Sequence, residues 1–419
     1  ALTCWSVVRE LIRSGHQVCV ISLFDVTEGN PYLKSRGQQE AALRREGAEV
    51  VVIEYAMEAL TGARSHDPLA KFGRWIGRIC SAPDGLAYLM PWVKLAEEVR
   101  RALAGREFDG FLCYHFDALA AVHPLCLSPM LAVVGDLWHL PGYFRWREGS
   151  FSLSKYAVRG IRVALESMIA ERAMSTLLAS TTSCGAFAGH YAEWLKAHGF
   201  PKTLYFRTPV PDAAGPKWDL LRSEARAGRT GGKHRVLVIG DLATTSTSSG
   251  LRAVAHAVLP RLVDEFGEDG FDLRLVGGGA PPNDIAPALR KPYVYFAGRV
   301  VPADPEFLAA DVMIVPTNIP LGIRVRVITA WSFGCPVVAH RANASGIPEM
   351  RHGENSLLAD TDAQLVDAVL RVLTDHTLRS GLSAGGRGTF ERSFSESVAG
   401  QQIVKEMERL AGAQATNRS

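Results

Sequence analysis

Short apolar runs alternate with amphipathic helical stretches along most of this chain, and the alternation restricts the fold more than any other feature. Runs such as 17–23, 48–53 and 108–114 have the length and apolar character of buried strands. Between such runs, apolar residues recur with helical spacing, as in Thr3–Ser14. This order of elements predicts an α/β protein built on parallel sheets.

The alternating pattern occurs in two series separated by a change of composition. The first series is predicted to close with a strand at Thr176–Ala179, and the second begins with a strand at Arg235–Ile239. The segment 209–234 is rich in Gly, Pro and charge and predicts an interdomain linker. We expect an N-terminal domain over 1–208, a C-terminal domain over 235–395, and a C-terminal helix and tail over 396–419 that packs back on the first domain.

The composition excludes several classes of function. With 46 Lys and Arg against 43 Asp and Glu, the 419 residues carry a net charge of +3, so no basic field indicates a nucleic-acid partner. The seven cysteines are odd in number and never in Cys-x-x-Cys spacing, which disfavours a disulfide framework or a zinc site. No apolar run approaches the roughly 18 residues that span a bilayer. We therefore expect a soluble cytoplasmic protein.

The segment 311–339 is the most informative part of the chain. It predicts a strand, a Pro/Gly loop, a helix, a glycine stop and a second strand. Such a loop leads to a helix N-terminus at the carboxyl edge of a sheet, where backbone N–H groups and the helix dipole favour anions. Arg324 and Arg326 lie in the predicted first turn, where a cation costs about a few tenths of a kcal/mol. A bound phosphate would reverse that cost, and two solvated surface arginines are the alternative.

This segment and its neighbours resemble the donor-binding region of family 4 glycosyltransferases. The matching residues are Pro316-Thr317, Gly322, Arg326, Thr329-Ala330 and Gly334-Cys-Pro-Val-Val338, followed by Ser345–Met350 and His352–Leu358 and preceded by the strands at 272–278 and 294–298. Weaker matches in the first half are 13–20, 108–115, 133–139, 173–180 and 207–212. The order and spacing of these elements are specific, whereas each glycine run alone is weak evidence. The resemblance covers roughly Thr3 to Leu373.

The resemblance implies the GT-B fold, in which two Rossmann-like domains place parallel sheets facing each other across a cleft. It also implies transfer of a sugar, of hexosyl type, from a nucleotide-diphosphate sugar to an acceptor hydroxyl. The family retains the anomeric configuration, uses no metal, and needs no cofactor besides the nucleotide sugar. The implied donor-binding residues are Gly240, Thr245, Gly298, Arg299, Gly322, Arg324, Arg326 and Thr329.

Catalytic candidates follow two predicted strands of the first half. His115 stands at the carboxyl end of a strand, where open sheets bind ligands, and in the family such a histidine faces the donor sugar. Asp136 and His139 lie in the predicted loop after the next strand, a common place for catalytic groups. A structural histidine and a carboxylate that caps its own loop are the alternatives.

An aromatic segment follows these candidates. Trp138, Tyr143 and Trp146 provide faces on which a sugar acceptor stacks, and Arg145 and Arg147 between them also suit an anionic membrane surface. A small-molecule or lipid-linked acceptor with peripheral membrane contact fits this pattern, and ordinary packing is the alternative. A second basic-aromatic patch covers 71–78.

The departures from the family are equally specific. Thr329 replaces a glutamate that binds the ribose, and the loop 239–250 lacks the family's Arg and Lys for the diphosphate. Gly135 replaces a histidine, and a first strand with its glycine loop is expected before Thr3. We expect Glu349 to cap a helix. These losses either move the phosphate contact to the two arginines or indicate a degenerate glycosyltransferase that binds without catalysis. An epimerase is less favoured, because no matching acid/base set is present.

Overall fold

The computed structural model describes residues 2–27, 30, 33, 36–56, 73, 77, 85, 90–147 and 153–418. The chain divides into two compact units. The first contains residues 1–187, 191–206 and 400–419, and the second contains residues 188–190 and 207–399. The segment 209–234, which we predicted to be a linker, lies within the second unit, and its residues Trp218–Ala227 form a helix.

The first unit is an α/β structure with parallel strands. Its helices are α1 (Leu2–Arg13), α2 (Arg36–Arg45), α3 (Met90–Val93), α4 (Ala96–Leu103), α5 (Phe116–Val122), α6 (Leu140–Arg147), α7 (Leu153–Ala179) and α8 (Gly189–Ala197). Its strands are β1 (Cys19–Asp25), β2 (Glu49–Tyr55), β3 (Phe111–Tyr114), β4 (Met130–Val134), β5 (Ser183–Ala186) and β6 (Leu204–Tyr205). Within the described residues β1 pairs with β2, and the other strands form a four-stranded sheet in the order β3-β4-β5-β6.

The strand predicted at Thr176–Ala179 is wrong, because these residues form the end of α7. Ala170, Met174 and Leu178 are buried at intervals of four residues, so they continue the apolar stripe of the helix. The strand itself follows at Ser183–Ala186, where the sheet continues. A short apolar run at the end of a helix has the same sequence signature as a buried strand.

The second unit is a six-stranded parallel sheet with helices on its faces. Its strands are β7 (His234–Ile239), β8 (Phe271–Val276), β9 (Val294–Gly298), β10 (Val312–Val315), β11 (Val337–His340) and β12 (Leu357–Ala359). Its helices are α9 (Trp218–Ala227), α10 (Thr245–Ala253), α11 (Leu259–Phe266), α12 (Ala286–Leu289), α13 (Asp304–Ala309), α14 (Val325–Ser332), α15 (Asp362–Thr374), α16 (His376–Ser393) and the start of α17 (Glu396–Arg418). The last part of α17 belongs to the first unit.

The strand order of this sheet is β12-β11-β10-β7-β8-β9. The chain therefore moves outward in one direction from β7 to β9 and in the other from β10 to β12. The reversal falls between β7 and β10, which are hydrogen-bonded neighbours. In open α/β sheets such a switch point, at the carboxyl ends of the strands, is where ligands bind.

Burial explains why these short strands form. All four residues of β10 are buried, as are three of the four in β11, so both faces of the sheet are covered by helices. Buried Asp311 is paired: it is 1% exposed and lies 2.7 Å from Arg226 Nη2 and 2.6 Å from Arg229 Nη1. No helix in the described ranges is long and apolar enough to cross a membrane.

Candidate functional site

Glycines bring three loops together at the carboxyl edge of the second sheet. A Cβ on Gly277, whose φ is +147°, would lie 1.9 Å from the carbonyl oxygen of Gly240. A Cβ on Gly250 would lie 2.3 Å from the carbonyl group of Pro316. Gly240 and Gly277, in the loops after β7 and β8, therefore meet backbone to backbone, and Gly250 of α10 packs against the backbone of the loop after β10. A side chain at any of these three positions would force the elements apart.

Arg326, in the first turn of α14, spans the switch point. Its Nη1 donates to the carbonyl oxygen of Ile239 at 2.5 Å and to Thr247 Oγ1 at 3.2 Å. Its Nη2 donates to Thr317 Oγ1 at 3.2 Å. The guanidinium thus crosses from the helix after β10 to the end of β7. Gly240 makes room for it, because a Cβ there would lie 1.9 Å from Nη1.

The charge of Arg326 has only neutral hydrogen-bond partners in the described part of the chain. Burial, and then the neighbouring charge of Arg324, lower the pKa of Arg326 to about 9. The guanidinium is therefore still protonated at neutral pH, and its buried Nε has no hydrogen-bond partner among the described residues. A buried cation without a counter-charge is costly, so an anion placed beside it would stabilise this edge.

The other donor-binding candidates lie around the same edge. Gly322, with φ +68°, has its carbonyl oxygen 2.7 Å from the position of a Cβ on Gly346, so the loops after β10 and β11 also meet closely. Arg324 directly precedes α14. Thr329 donates its Oγ1 hydrogen to the carbonyl oxygen of Val325 at 3.1 Å. The hydroxyl that replaces the expected glutamate therefore offers a ligand only its lone pairs.

Three further candidates flank this edge. Gly298 ends β9 with φ +65°, and its carbonyl oxygen accepts from Gly277 N at 2.8 Å. Arg299 follows it and is exposed. Thr245 begins α10, but the hydroxyl that binds Arg326 is that of Thr247, one of two partners that the sequence reasoning missed. The other is Thr317, which entered the analysis only as part of a motif.

At the carboxyl edge of the first sheet, His115 has an unusual backbone. Its φ of +71° and ψ of +155° fall in a region that is essentially confined to glycine. Its imidazole lies against Gly135, where a Cβ would be 2.0 Å from Nδ1. Gly135, the position at which the sequence departs from the family, is therefore what admits the His115 ring. Asp136 follows directly, is exposed, and accepts from the Tyr191 hydroxyl at 3.3 Å.

His115 is neutral at physiological pH. Part of the residue is exposed to solvent. Burial of the imidazole by the atoms packed around it is nevertheless the main cause that lowers the pKa of His115 to about 4. A neutral imidazole offers one donor and one acceptor nitrogen. Strain of the backbone at a polar residue next to an exposed carboxylate is typical of functional sites.

His139 and Trp138 pack inside the first unit. The ring of His139 lies 5.3 Å from that of Trp194, and its Nε2 is 3.7 Å from Glu171 Oε1, too long for a hydrogen bond. Burial, and then the charge of His198, lower the pKa of His139 to about 4. Trp138 contacts the ring of Phe116 at 5.4 Å between centroids. For both residues these contacts fit a structural role in packing, which was the alternative to a role in the site.

The aromatic segment is helical, whereas we predicted a loop. From Leu140 onward it forms α6, and Trp146 packs against Gly160 of α7, where a Cβ would lie 2.9 Å from Cζ2. Tyr143 remains 36% exposed, and its ring is 6.0 Å from that of Trp146. The basic-aromatic patch at 71–78 lies outside the described residues, except for its two glycines.

The structure corrects one further prediction. Glu349 caps no helix, since it follows a 3₁₀ turn and accepts from Arg207 Nε at 2.6 Å. Among the described residues no group of three or more His, Cys, Asp or Glu side chains is arranged to hold a metal ion.

Comparison with known proteins agrees with this geometry. Residues 233–375 match the family model described as "Glycosyl transferases group 1". No curated protein is significantly similar in sequence. A sucrose-phosphate synthase from Thermosynechococcus elongatus superposes with a TM-score of 0.62 at 18% identity, covering 95% of this chain and 100% of that one.

Two other solved structures are similar over nearly the whole chain. HepE from Anabaena, in complex with UDP and glucose, has a TM-score of 0.59 at 13% identity, covering 94% of this chain and 100% of that one. A glycosyltransferase from Rickettsia africae has a TM-score of 0.60 at 10% identity, covering 97% and 94%. The chain therefore has the expected GT-B fold, and the family match within its second unit supports a GT-B glycosyltransferase.

Proposed function

We propose that this protein transfers a sugar from a nucleotide-diphosphate sugar to an acceptor hydroxyl. The observation that carries the proposal is the guanidinium of Arg326, which lies at the switch point of the second sheet with neutral partners only. The diphosphate of a sugar nucleotide supplies the counter-charge that this position lacks. HepE, which has the same fold, was solved with UDP-glucose as well as with UDP.

In this proposal the second unit binds the donor. Cleavage of the bond between sugar and phosphate leaves negative charge on the diphosphate, and fixed positive groups at that point lower the barrier. Arg326, Arg324 and the N-terminus of α14 supply this stabilisation, with Gly240 leaving room for the Arg326 guanidinium and Gly322 lying in the loop that leads to α14. Gly298 and Arg299 contact the base, and Thr245 and Thr329 contribute hydroxyl oxygens. No step of this reaction requires a resident metal, since the arginines carry the charge.

The first unit contributes polar groups to the sugar and the acceptor. Neutral His115 donates a hydrogen bond to a sugar hydroxyl, and Asp136 orients the acceptor hydroxyl. Exposed Tyr143 offers a stacking face for the acceptor, and Arg145 and Arg147 on the same helix attract an anionic or lipid-linked one. Retention of the anomeric configuration is part of the proposal, because the sequence resembles a retaining family.

Binding without catalysis is the second candidate, and a specific observation favours it. Thr329 uses its hydroxyl hydrogen within its own helix, so the ribose contact expected of a glutamate is reduced to lone pairs. A protein with this defect would still bind a diphosphate through Arg326.

The test is thermal unfolding with UDP, GDP, ADP, CMP and dTDP, each with and without Mg²⁺. A ligand at 100-fold its dissociation constant adds about 2.7 kcal/mol to stability. We expect a clear rise in melting temperature with one nucleotide, unaffected by metal, followed by turnover of the matching sugar nucleotide. Stabilisation without hydrolysis or transfer would favour the binding protein. No stabilisation by any nucleotide would refute the proposal.

A further inference from the structure

A short segment between β5 and the body of α8 belongs to the second unit, although the residues on both sides belong to the first. This segment is Ala188–His190. Gly189 N donates to the carbonyl oxygen of Gly346 at 3.2 Å. A Cβ on Gly189 would lie 2.5 Å from Pro348 Cγ and 3.1 Å from the carbonyl oxygen of Ser345. The segment is thus docked, backbone to backbone, on the loop that follows β11.

The imidazole of His190 lies where the loops after β10 and β11 meet. The carbonyl groups of Pro320 in one loop and of Ser345 in the other both act on its ring. Because burial lowers the pKa of His190, the ring is neutral and has one N–H to donate to either of them. Both ring nitrogens are shielded from solvent, and Cε1 is 3.6 Å from the position of a Cβ on Gly346. His190 is therefore a second link between these two loops, beside Asn343, whose Nδ2 donates to the carbonyl oxygen of Thr317 at 2.9 Å.

The same loops carry groups assigned to the donor. The loop after β10 continues from Pro320 through Gly322 to Arg324 and then into α14. The charge of Arg324 acts on His190, and burial is the main cause that lowers the pKa of this histidine. A loop outside regular secondary structure moves at little cost in free energy unless a buried contact holds it. The contact of His190 at Pro320 therefore restricts where Arg324 can lie.

We propose that His190 is a positioning residue of the donor site, which fixes the 320–324 loop against 345–346 through the carbonyl groups of Pro320 and Ser345. This inference rests on the proposed function, because it names what holds the diphosphate-binding loop in place. His190 does not touch the donor in this proposal. It acts through the backbone of the loop that carries Gly322 and Arg324.

Hydrogen exchange of the ligand-free protein tests the bridge directly. In His190→Ala we expect the amides of 321–324 and 345–347 to exchange at least tenfold faster than in wild type. In His190→Gln we expect most of this protection to return, since the carboxamide N–H can replace the single N–H that the neutral imidazole offers. His198→Ala is the matched control, because His198 lies beyond the other end of α8 and stacks on Trp194 at 3.9 Å. Unchanged exchange in His190→Ala, or faster exchange throughout the second unit, would overturn the proposal.

The affinity for inorganic pyrophosphate tests the link to the donor site. We expect His190→Ala to bind it at least fivefold more weakly than wild type, and His190→Gln to bind it within about twofold of wild type. Wild-type affinity in His190→Ala would overturn the positioning role and leave the proposed function standing. A wild-type protein that binds neither pyrophosphate nor any nucleotide would instead refute the proposed function, and the donor-site role of His190 with it.

Discussion

The carboxyl edges of the two sheets each carry an unfavourable free-energy term, and the physical origin of that term differs between them. In the second unit, glycines close the loops and Arg326 is held among neutral partners, so the cost is electrostatic. In the first unit, the cost is conformational, because His115 adopts a φ of +71° beside exposed Asp136. A ligand can relieve the first kind of cost by bringing charge. It cannot relieve the second, which keeps a side chain in place whether or not a ligand is bound.

The largest effect should follow when the glycine beneath Arg326 is replaced. In Gly240→Ala the new Cβ collides with Nη1, and φ of +147° is unfavourable for alanine, so we expect a loss of about 3 kcal/mol. Nucleotide binding should be lost as well. The control is Gly381→Ala, in α16 with no atom near its Cβ, which should gain about 0.5–1 kcal/mol. Urea unfolding measures both, and equal stabilities would contradict the close packing of the second edge.

The next largest effect is a dependence of stability on pH. It tests whether His139 is a packed residue of the first unit. The pKa of His139 is about 4 in the folded protein, below its ordinary value near 6.5. Its contribution to stability is therefore complete above pH 6.5 and is lost as the pH falls toward 4, when the unfolded state takes up the proton first. Between pH 7 and pH 4.5 we expect the free energy of unfolding to fall by about 2 kcal/mol less in His139→Gln than in wild type. His376→Gln, at an exposed position at the start of α16, serves as the control, and identical pH profiles for wild type and His139→Gln would contradict this interpretation.

A tenfold effect is expected at Arg326. Arg326→Met removes the buried cation, so nucleotide affinity should fall at least tenfold, which is about 1.4 kcal/mol, while stability is kept or raised. Arg274→Met is the matched control, because Arg274 Nη2 lies 2.5 Å from Glu306 Oε1 in the same unit. That variant should lose stability and keep nucleotide affinity. Calorimetric titration decides, and unchanged affinity in Arg326→Met would remove the electrostatic side of the comparison.

The smallest effect tests the conformational side. His115→Gly should relieve the backbone and stabilise the first unit by about 1 kcal/mol, while transfer falls at least tenfold. Cys126→Gly is the control, since Cys126 also has positive φ, +49°, but lies after the turn that follows α5. It should gain stability without loss of transfer. A His115→Gly variant that is less stable, or as active as wild type, would contradict the assignment of strain to function.

The sequence predicted the second edge better than the first for a physical reason. The residues that we propose to bind the anion lie in one stretch, 311–339, where spacing alone places Arg326 in the first turn of a helix after a buried strand. The partners of Arg326 were not predictable, because Ile239 and Thr247 are 87 and 79 residues away in sequence. His190 was missed for the same reason. Only the folded chain brings it to the two loops.

In the first unit the wrong strand prediction arose because the end of a helix and a buried strand can have the same local sequence. The apolar end of α7 at Thr176–Ala179 has the composition of a strand, and only the continuing burial at intervals of four residues shows a helix. The position of His115 at the end of a strand was predicted, and β3 does end at Tyr114. The position of the His115 ring was not predicted, because it depends on Gly135 in the loop of the neighbouring strand.

The long helix after β7 changes its register partway along its length. Between α10 and α11, residues Val254–Val258 form a π-turn, which holds one residue more than the α-turn it replaces, just before Pro260. The extra residue offsets the two ends of the helix by about 100°. Gly250 on one side of this turn therefore packs on the backbone of Pro316, while Val258 and Leu259 on the other side stay buried in the core.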